Sequence, residues 1–391
     1  MALSKHGAFD FRRGELALNL CFFVNAFGST MLIPFIVFYT MNGAITEQQV
    51  ELLGAMKFWL LPFFSVIGLF LALEKRINKY LIAGLVLKSS AFFVIMVSQQ
   101  FYALCVALSL NALGGVLFST ASALYIKQTS HDIAHSFSLR FTIANMAATV
   151  SPIFVILSQK APHGFYALSI GVMVLYAVGV GLFWAFARSV APTSAPQAAT
   201  DSKNPQNTIA QIGIVLFLAL SSMAFAIFYY TFEVGVPIHL TNFDKKAIFP
   251  YLMGLNTLAI VLLQIKLYKI ITSKIGNFYA LLLSLACCFV LYLPFLSHED
   301  FRLLPLFSLV VGITMVEIFY STALDVIIVN HFSKKAAKYL LNLAHVFVAI
   351  GATIASLIDN KNTLIYVLLA LIFAIVCICI KLRPKAARLD K

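Results

Sequence analysis

Ser189-Val-Ala-Pro-Thr-Ser-Ala-Pro-Gln-Ala-Ala-Thr-Asp-Ser-Lys-Asn-Pro-Gln-Asn-Thr208 is the one long stretch of this chain without an apolar run. On its N-terminal side, apolar runs cover about 16–39, 50–73, 81–98, 101–126, 137–158 and 165–187. On its C-terminal side they cover about 209–236, 248–268, 278–296, 303–329, 339–358 and 363–380. A hydrocarbon core about 30 Å thick needs roughly 20 apolar residues per helical crossing, so each half has room for six. Lipid leaves backbone polar groups no partner outside a helix or a closed barrel. The expected fold class is therefore an all-α membrane protein, with twelve transmembrane helices in two six-helix bundles. Residues 1–187 form the N-terminal bundle, 188–208 the linker and 209–391 the C-terminal bundle.

Composition agrees. Hydrophobic residues make up 61% of the chain and charged residues 11%, against roughly 45–50% and 25% in soluble domains. The first fifteen residues, MALSKHGAFDFRRGE, are polar and basic. The run that follows, Leu16 to Tyr39, is too long for a signal-peptide core and lacks a clear cleavage box, so it reads as an uncleaved first helix. The six cysteines, Cys21, Cys105, Cys287, Cys288, Cys377 and Cys379, all fall inside apolar runs and show no metal-ligand spacing, which makes them packing residues.

The net charge of +13 follows topology rather than nucleic-acid binding. With the N-terminus placed inside, 21 Lys and Arg residues fall in inner segments and five, Lys160, Lys245, Lys246, Arg302 and Lys361, in outer ones. That asymmetry obeys the positive-inside rule and predicts a cytoplasmic linker and cytoplasmic termini. The basic inner segments face anionic lipid. The loops are too short for a soluble catalytic domain, no Walker A sequence is present, and no catalytic triad or metal-ligand cluster appears. The chain is not expected to be an enzyme or to carry a cofactor.

The loop after the second run reads Gly68-Leu-Phe-Leu-Ala-Leu-Glu74-Lys75-Arg76-Ile-Asn-Lys79-Tyr80. Its counterpart in the second half reads Lys269-Ile-Ile-Thr-Ser273-Lys274-Ile-Gly276-Asn277. Similar basic loops after the second helix of each half are what a duplicated six-helix unit gives. With the six-plus-six layout, the first loop resembles the signature of the major facilitator superfamily: Glu74 stands for its acid and Lys75 and Lys79 for its bases, although its second glycine is replaced by Ile77. Gly114-Gly115 in the fourth run, Ser151-Pro152 in the fifth, and the tenth and eleventh runs resemble the multidrug and metabolite efflux branch. The resemblance implies two bundles that rock about a central cavity lined by the first, fourth, seventh and tenth helices. Small residues such as Gly114-Gly115 allow the close helix approach this needs.

Ionisable residues inside a membrane are costly and mark functional candidates. Glu317 lies fifteen residues after Arg302, near mid-depth at about 1.5 Å per residue. There it can carry a coupling proton or meet a cationic substrate. Ser321 and Asp325 follow at i+4 and i+8, on broadly one face, and Asp325 suits a gating ion pair with Arg140 or Lys334 as well as a simple helix-end charge. Glu233, one turn after Tyr229, suits the outer cavity or a pair with Lys57. Lys88 reads as a snorkelling side chain, and His345 as a packing residue. Asn25 and Asn111 are the preferred cavity residues. Asn256, Tyr229, Glu233, Tyr320 and Ser321 join them, whereas Asn19 and Asn145 suit helix-to-helix hydrogen bonds.

The expected function is secondary active transport: proton-coupled export of a small organic compound (a drug, siderophore or other metabolite) by alternating access, with Glu317 as the proton carrier. Two alternatives remain open: a proton-coupled importer of a nutrient or metal-chelate metabolite, and a non-transporting receptor or lipid-handling protein. The expected partners are a small-molecule substrate, protons and membrane lipid, without nucleic acid. The resemblance implies a monomer, placed in the bacterial inner membrane.

Overall fold

The structure is a computed structural model that describes residues 5–41, 45–71, 73–159, 163–187, 205–243, 245, 248–297, 302–358 and 360–389. Most of the linker, residues 188–204, lies outside the described residues, as do Lys160 and Lys246 and the side chain of Lys57. Among the described residues every regular element is helical. Among those residues nine helices are long and apolar enough to cross a membrane.

The chain divides into two compact units. Residues 1–131 with 142–197 make the first, and 132–141 with 198–391 make the second. The first contains α1 (Lys5–Met41), α2 (Glu47–Phe70), α3 (Ile77–Val97), α4 (Phe101–Thr129), most of α5 (Ile133–Gln159) and α6 (Gly164–Ala187). Thr46 starts α2 through a reciprocal cap: its hydroxyl accepts from the Gln49 amide and the Gln49 side chain accepts from the Thr46 amide, which satisfies two donors the helix leaves open. Within this unit α3 packs on α4 and α6, α2 on α4, and α1 on α6. The α3–α4 approach is close because two glycines face each other. A Cβ on Gly84 would lie 2.7 Å from the Gly114 carbonyl, and one on Gly114 would lie 2.6 Å from the Gly84 carbonyl.

The second unit contains α7 (Pro205–Tyr230), a π turn (Thr231–Gly235), α8 (Val236–Asn242), α9 (Phe249–Ser297), α10 (Leu303–His331), α11 (Lys334–Leu357) and α12 (Lys361–Leu389). Here α9 packs on α10, α7 on α11, and α12 on both α7 and α9. The π turn follows from Pro237. A proline has no N–H and its ring collides with the carbonyl four residues back, which here is that of Glu233. The Val236 amide instead reaches the Thr231 carbonyl, widening the helix by one residue.

Two segments differ from the sequence reading. The basic stretch Lys269–Ser273 is helical rather than a loop, because α9 meets no breaker before Gly276 and its lysines are good helix formers. At Gly276 the backbone turns to φ 77°, ψ 169°, a region glycine enters without steric cost, and the rod breaks there. In the first half, the loop after α2 tightens into a 3-10 turn at Leu73–Lys75, and Lys79 already belongs to the first turn of α3.

Large apolar side chains stay outside: Phe70 is 85% exposed, Tyr251 79% and Phe373 70%. Such surfaces on apolar helices need lipid as solvent. This is an integral membrane protein.

Candidate functional site

The polar groups in the second unit gather on α7, α9 and α10. Asn256, buried on α9, donates from Nδ2 to Oε2 of Glu317 on α10 at 2.6 Å. Behind it, the Thr314 hydroxyl lies 2.6 Å from Asn256 Oδ1 and orients the amide. Among the described residues no lysine, arginine or histidine lies within ion-pair distance of Glu317. Among those residues its carboxyl is met by the neutral Asn256 amide and not by a counter-ion.

Tyr229, on the last turn of α7, donates to Glu233 Oε1 at 3.3 Å and lies within electrostatic reach of both Glu233 and Glu317. Glu233 itself sits in the π turn, the kind of helix irregularity that concentrates at functional sites. Tyr320, one turn after Glu317, donates to Ser222 Oγ at 3.0 Å, and its ring stacks on Phe225 with centroids 4.0 Å apart. Glu317, Asn256, Tyr229, Glu233 and Tyr320 thus form one connected neighbourhood. Ser321 stands half-buried beside it on α10.

Asp325, two turns beyond Glu317, pairs with Arg140 of α5 at 3.3 Å. Both belong to the second unit. The side chains are only 11% and 10% exposed, and the guanidinium also lies over the Phe137 and Phe141 rings. His345 on α11 is within electrostatic reach of Arg140. Of the two partners the sequence allowed Asp325, the structure selects Arg140.

In the first unit, the snorkelling expectation for Lys88 is wrong. Lys88 is 3% exposed, and its Nζ donates to Ser29 Oγ of α1. The reason is the close α3–α4 contact: the lysine stem lies along Gly114-Gly115, with its Cγ 2.9 Å from where a Gly114 Cβ would stand. The two glycines hold α3 close and leave the groove the lysine fills. Ser29 donates to the Asn25 backbone carbonyl at 2.8 Å, one turn back on α1, and lies 3.4 Å from Asn111 Oδ1. Ser29, Asn111 and Lys88 therefore meet, whereas the Asn25 side-chain oxygen is buried without a hydrogen-bond partner among the described residues. Next to them Thr30 and Ser151 hydroxyls lie 2.5 Å apart, joining α1 to α5.

The remaining residues stand apart from these clusters. Glu74, Lys75 and Lys79 line a shallow surface depression of about 300 Å³ with Gln128 of α4. The Lys57–Glu233 pair involves a side chain outside the described residues. Asn19 is half-buried on α1, and Asn145 on α5 accepts at its backbone carbonyl from Thr149.

Sequence reasoning misses Ser29, Ser222, Phe225, Gln264 and Thr314. Gln264 ties α9 to α10, donating to the Ile318 carbonyl at 2.9 Å and to Thr322 at 2.8 Å. A glutamine in an apolar run is a readable signal. The serines and threonine are not, because such hydroxyls normally bond the carbonyl a turn back on their own helix.

The sequence matches the Major Facilitator Superfamily over residues 18–356. No curated protein matches it. Among solved structures, the human organic anion transporter MFSD10 (TETRAN) is similar at 13% identity and TM-score 0.68, over 93% of this chain and 99% of that one. A bacterial homologue of the iron transporter ferroportin, in an outward-facing state, is similar at 13% identity and TM-score 0.72, over 95% and 100%. A peptide transporter, POT, in complex with sulfate, is similar at 17% identity and TM-score 0.64, over 97% and 96%. At these identities the likeness is one of fold. With the family match across most of the apolar helices, the chain belongs to the Major Facilitator Superfamily, whose members are transporters and not enzymes.

Proposed function

We propose that this protein is a proton-coupled exporter of a small organic compound, working as a monomer by alternating access, with Glu317 as the proton carrier. The observation that carries the reading is Glu317 itself: an intramembrane carboxyl held by Asn256, with no cationic partner among the described residues. Such a group can gain and lose a proton without breaking an ion pair. In the proposed cycle, substrate binds beside ionised Glu317, Tyr229 and Tyr320, and a proton arriving from outside neutralises the carboxyl and displaces it. Asn256 stays bonded to Glu317 Oε2 while the proton resides on the other oxygen. Arg140–Asp325 acts as a gating pair, one that must open for the cavity to face the cytoplasm, and Glu74, Lys75 and Lys79 act as a second charged latch.

The reading includes twelve crossings in two six-helix bundles, with both termini and the linker cytoplasmic, in a bacterial inner membrane. The break at Gly276 supports counting α9 as two crossings, since its 46-residue apolar stretch is about twice the roughly 20 residues that span a bilayer. The charge asymmetry supports the orientation.

The test is substrate-driven proton movement in proteoliposomes holding the full chain. Glu317→Gln should abolish coupled proton flux while leaving the protein folded. If the variant moves protons as the parent does, Glu317 is not the carrier. Substrate that accumulates with the inward proton gradient rather than against it would instead establish import.

A further inference from the structure

We propose that Lys88, Ser29 and Asn111 form a subsite in the first unit for the carboxylate of an organic solute. The proposal rests on the transport reading above and adds one chemical group of the cargo. Lys88 is a cation buried within the unit, and no acidic side chain lies within ion-pair distance of it among the described residues. An isolated buried ammonium is expensive unless an anion or a full set of acceptors meets it. Among the described residues one acceptor does: of the three N–H donors an ammonium carries, Ser29 Oγ takes one.

Asn111 adds a further donor. It receives only a long 3.4 Å contact at its Oδ1, and among the described residues no bond engages its amide nitrogen. One ammonium and one free amide in one place make a donor-rich cradle. A carboxylate, with about four lone-pair positions and no proton to give, complements it. A cation or an apolar group does not.

The cradle is open on one side. Lys88 is covered, whereas Ser29, Asn111 and Gly115 are half-buried. A wall of polar groups facing hydrocarbon would be costly, so intramembrane polar faces turn to protein or to a water-filled path. Gly115 keeps that wall low: a Cβ there would stand 3.7 Å from the Lys88 ammonium.

The test follows thermal unfolding of the full chain in neutral detergent with 1-naphthoate, its uncharged isostere 1-naphthamide, and phosphatidylglycerol micelles. Naphthoate should raise Tm with concentration and naphthamide should not. Lys88→Met and Asn111→Leu should remove most of the naphthoate shift, and Lys88→Arg should keep part of it. Equal shifts with naphthoate and naphthamide, no shift with naphthoate, or an undiminished shift in Lys88→Met would each overturn the subsite. A Lys88-dependent response to phosphatidylglycerol alone would also overturn it, assigning the charge to a lipid headgroup. Should Lys88→Met not fold, an undiminished shift in both Asn111→Leu and Ser29→Ala would be equally decisive. The Tm shift reads binding without proton flux, so loss of coupling at Glu317 and loss of this subsite are separate results.

Discussion

Glu317 and Lys88 carry opposite charges and are handled alike. Each is met by neutral hydrogen-bonding groups, Asn256 for one and Ser29 for the other, while Asp325 and Arg140 neutralise each other directly. A paired ion resists change of state, because losing one partner strands the other. An ion met by neutral donors or acceptors can change protonation or accept a ligand charge at smaller cost. Asn256 is the residue where this can be measured apart from Glu317. A hydrogen bond to a charged group is worth about 1.5–3 kcal/mol, and each 1.4 kcal/mol is about a tenfold change. Asn256→Leu should therefore lower coupled proton flux about 10- to 100-fold while substrate-independent leak stays unchanged. Thr314→Val, which acts only through the orientation of Asn256, should cost less. Proteoliposome flux with both variants measures the order, and a larger loss in Thr314→Val would contradict it.

Two elements place these residues. The glycine contact between α3 and α4 aims Lys88 inward, and the π turn ahead of Pro237 carries Glu233 next to Tyr229. Gly114→Val should separate α3 from α4, since a β-carbon there meets backbone 2.6 Å away and backbone cannot give way as a side-chain tip can. Overpacking of this kind costs about 1–3 kcal/mol, visible as a lower Tm in detergent. Gly171→Val on α6, where a Cβ meets nothing within 4 Å, is the control and should leave Tm unchanged. Equal effects at the two glycines would show that the close approach is not what stabilises the pair. In the sequence Lys88 and Gly114-Gly115 are both conspicuous, but nothing in it says that they touch. The direction of a long side chain is set by the neighbour that packs over it, and that neighbour lies 26 residues away along the chain.

At the scale of the molecule, apolar exterior and uneven charge belong together. The exposed faces of the helices are apolar because lipid is their solvent. The uneven placing of the lysines and arginines carries the proposed orientation, since insertion retains positive loops inside. A reporter fused to either terminus, one that fluoresces only in the cytoplasm, should light up in both positions. The same reporter inserted at Lys245 should stay dark. A bright signal at Lys245 with dark termini would invert the orientation, and with it the direction assigned to transport.

The solvent of this protein, its helical class and the rarity of its buried charges are legible in the sequence alone. These are local properties: run length, composition and the cost of an ion in hydrocarbon can all be read one segment at a time. The sequence also marked Glu317, Asn256, Tyr229 and Tyr320 as polar residues in apolar surroundings. Which of them meet depends on how the helices pack. The bond from Asn256 to Glu317 spans 61 residues of chain, the pair of Arg140 with Asp325 spans 185, and the turn of Lys88 towards Ser29 instead of the headgroups depends on how closely α3 lies against α4. Such contacts depend on helix packing, which hydropathy does not encode.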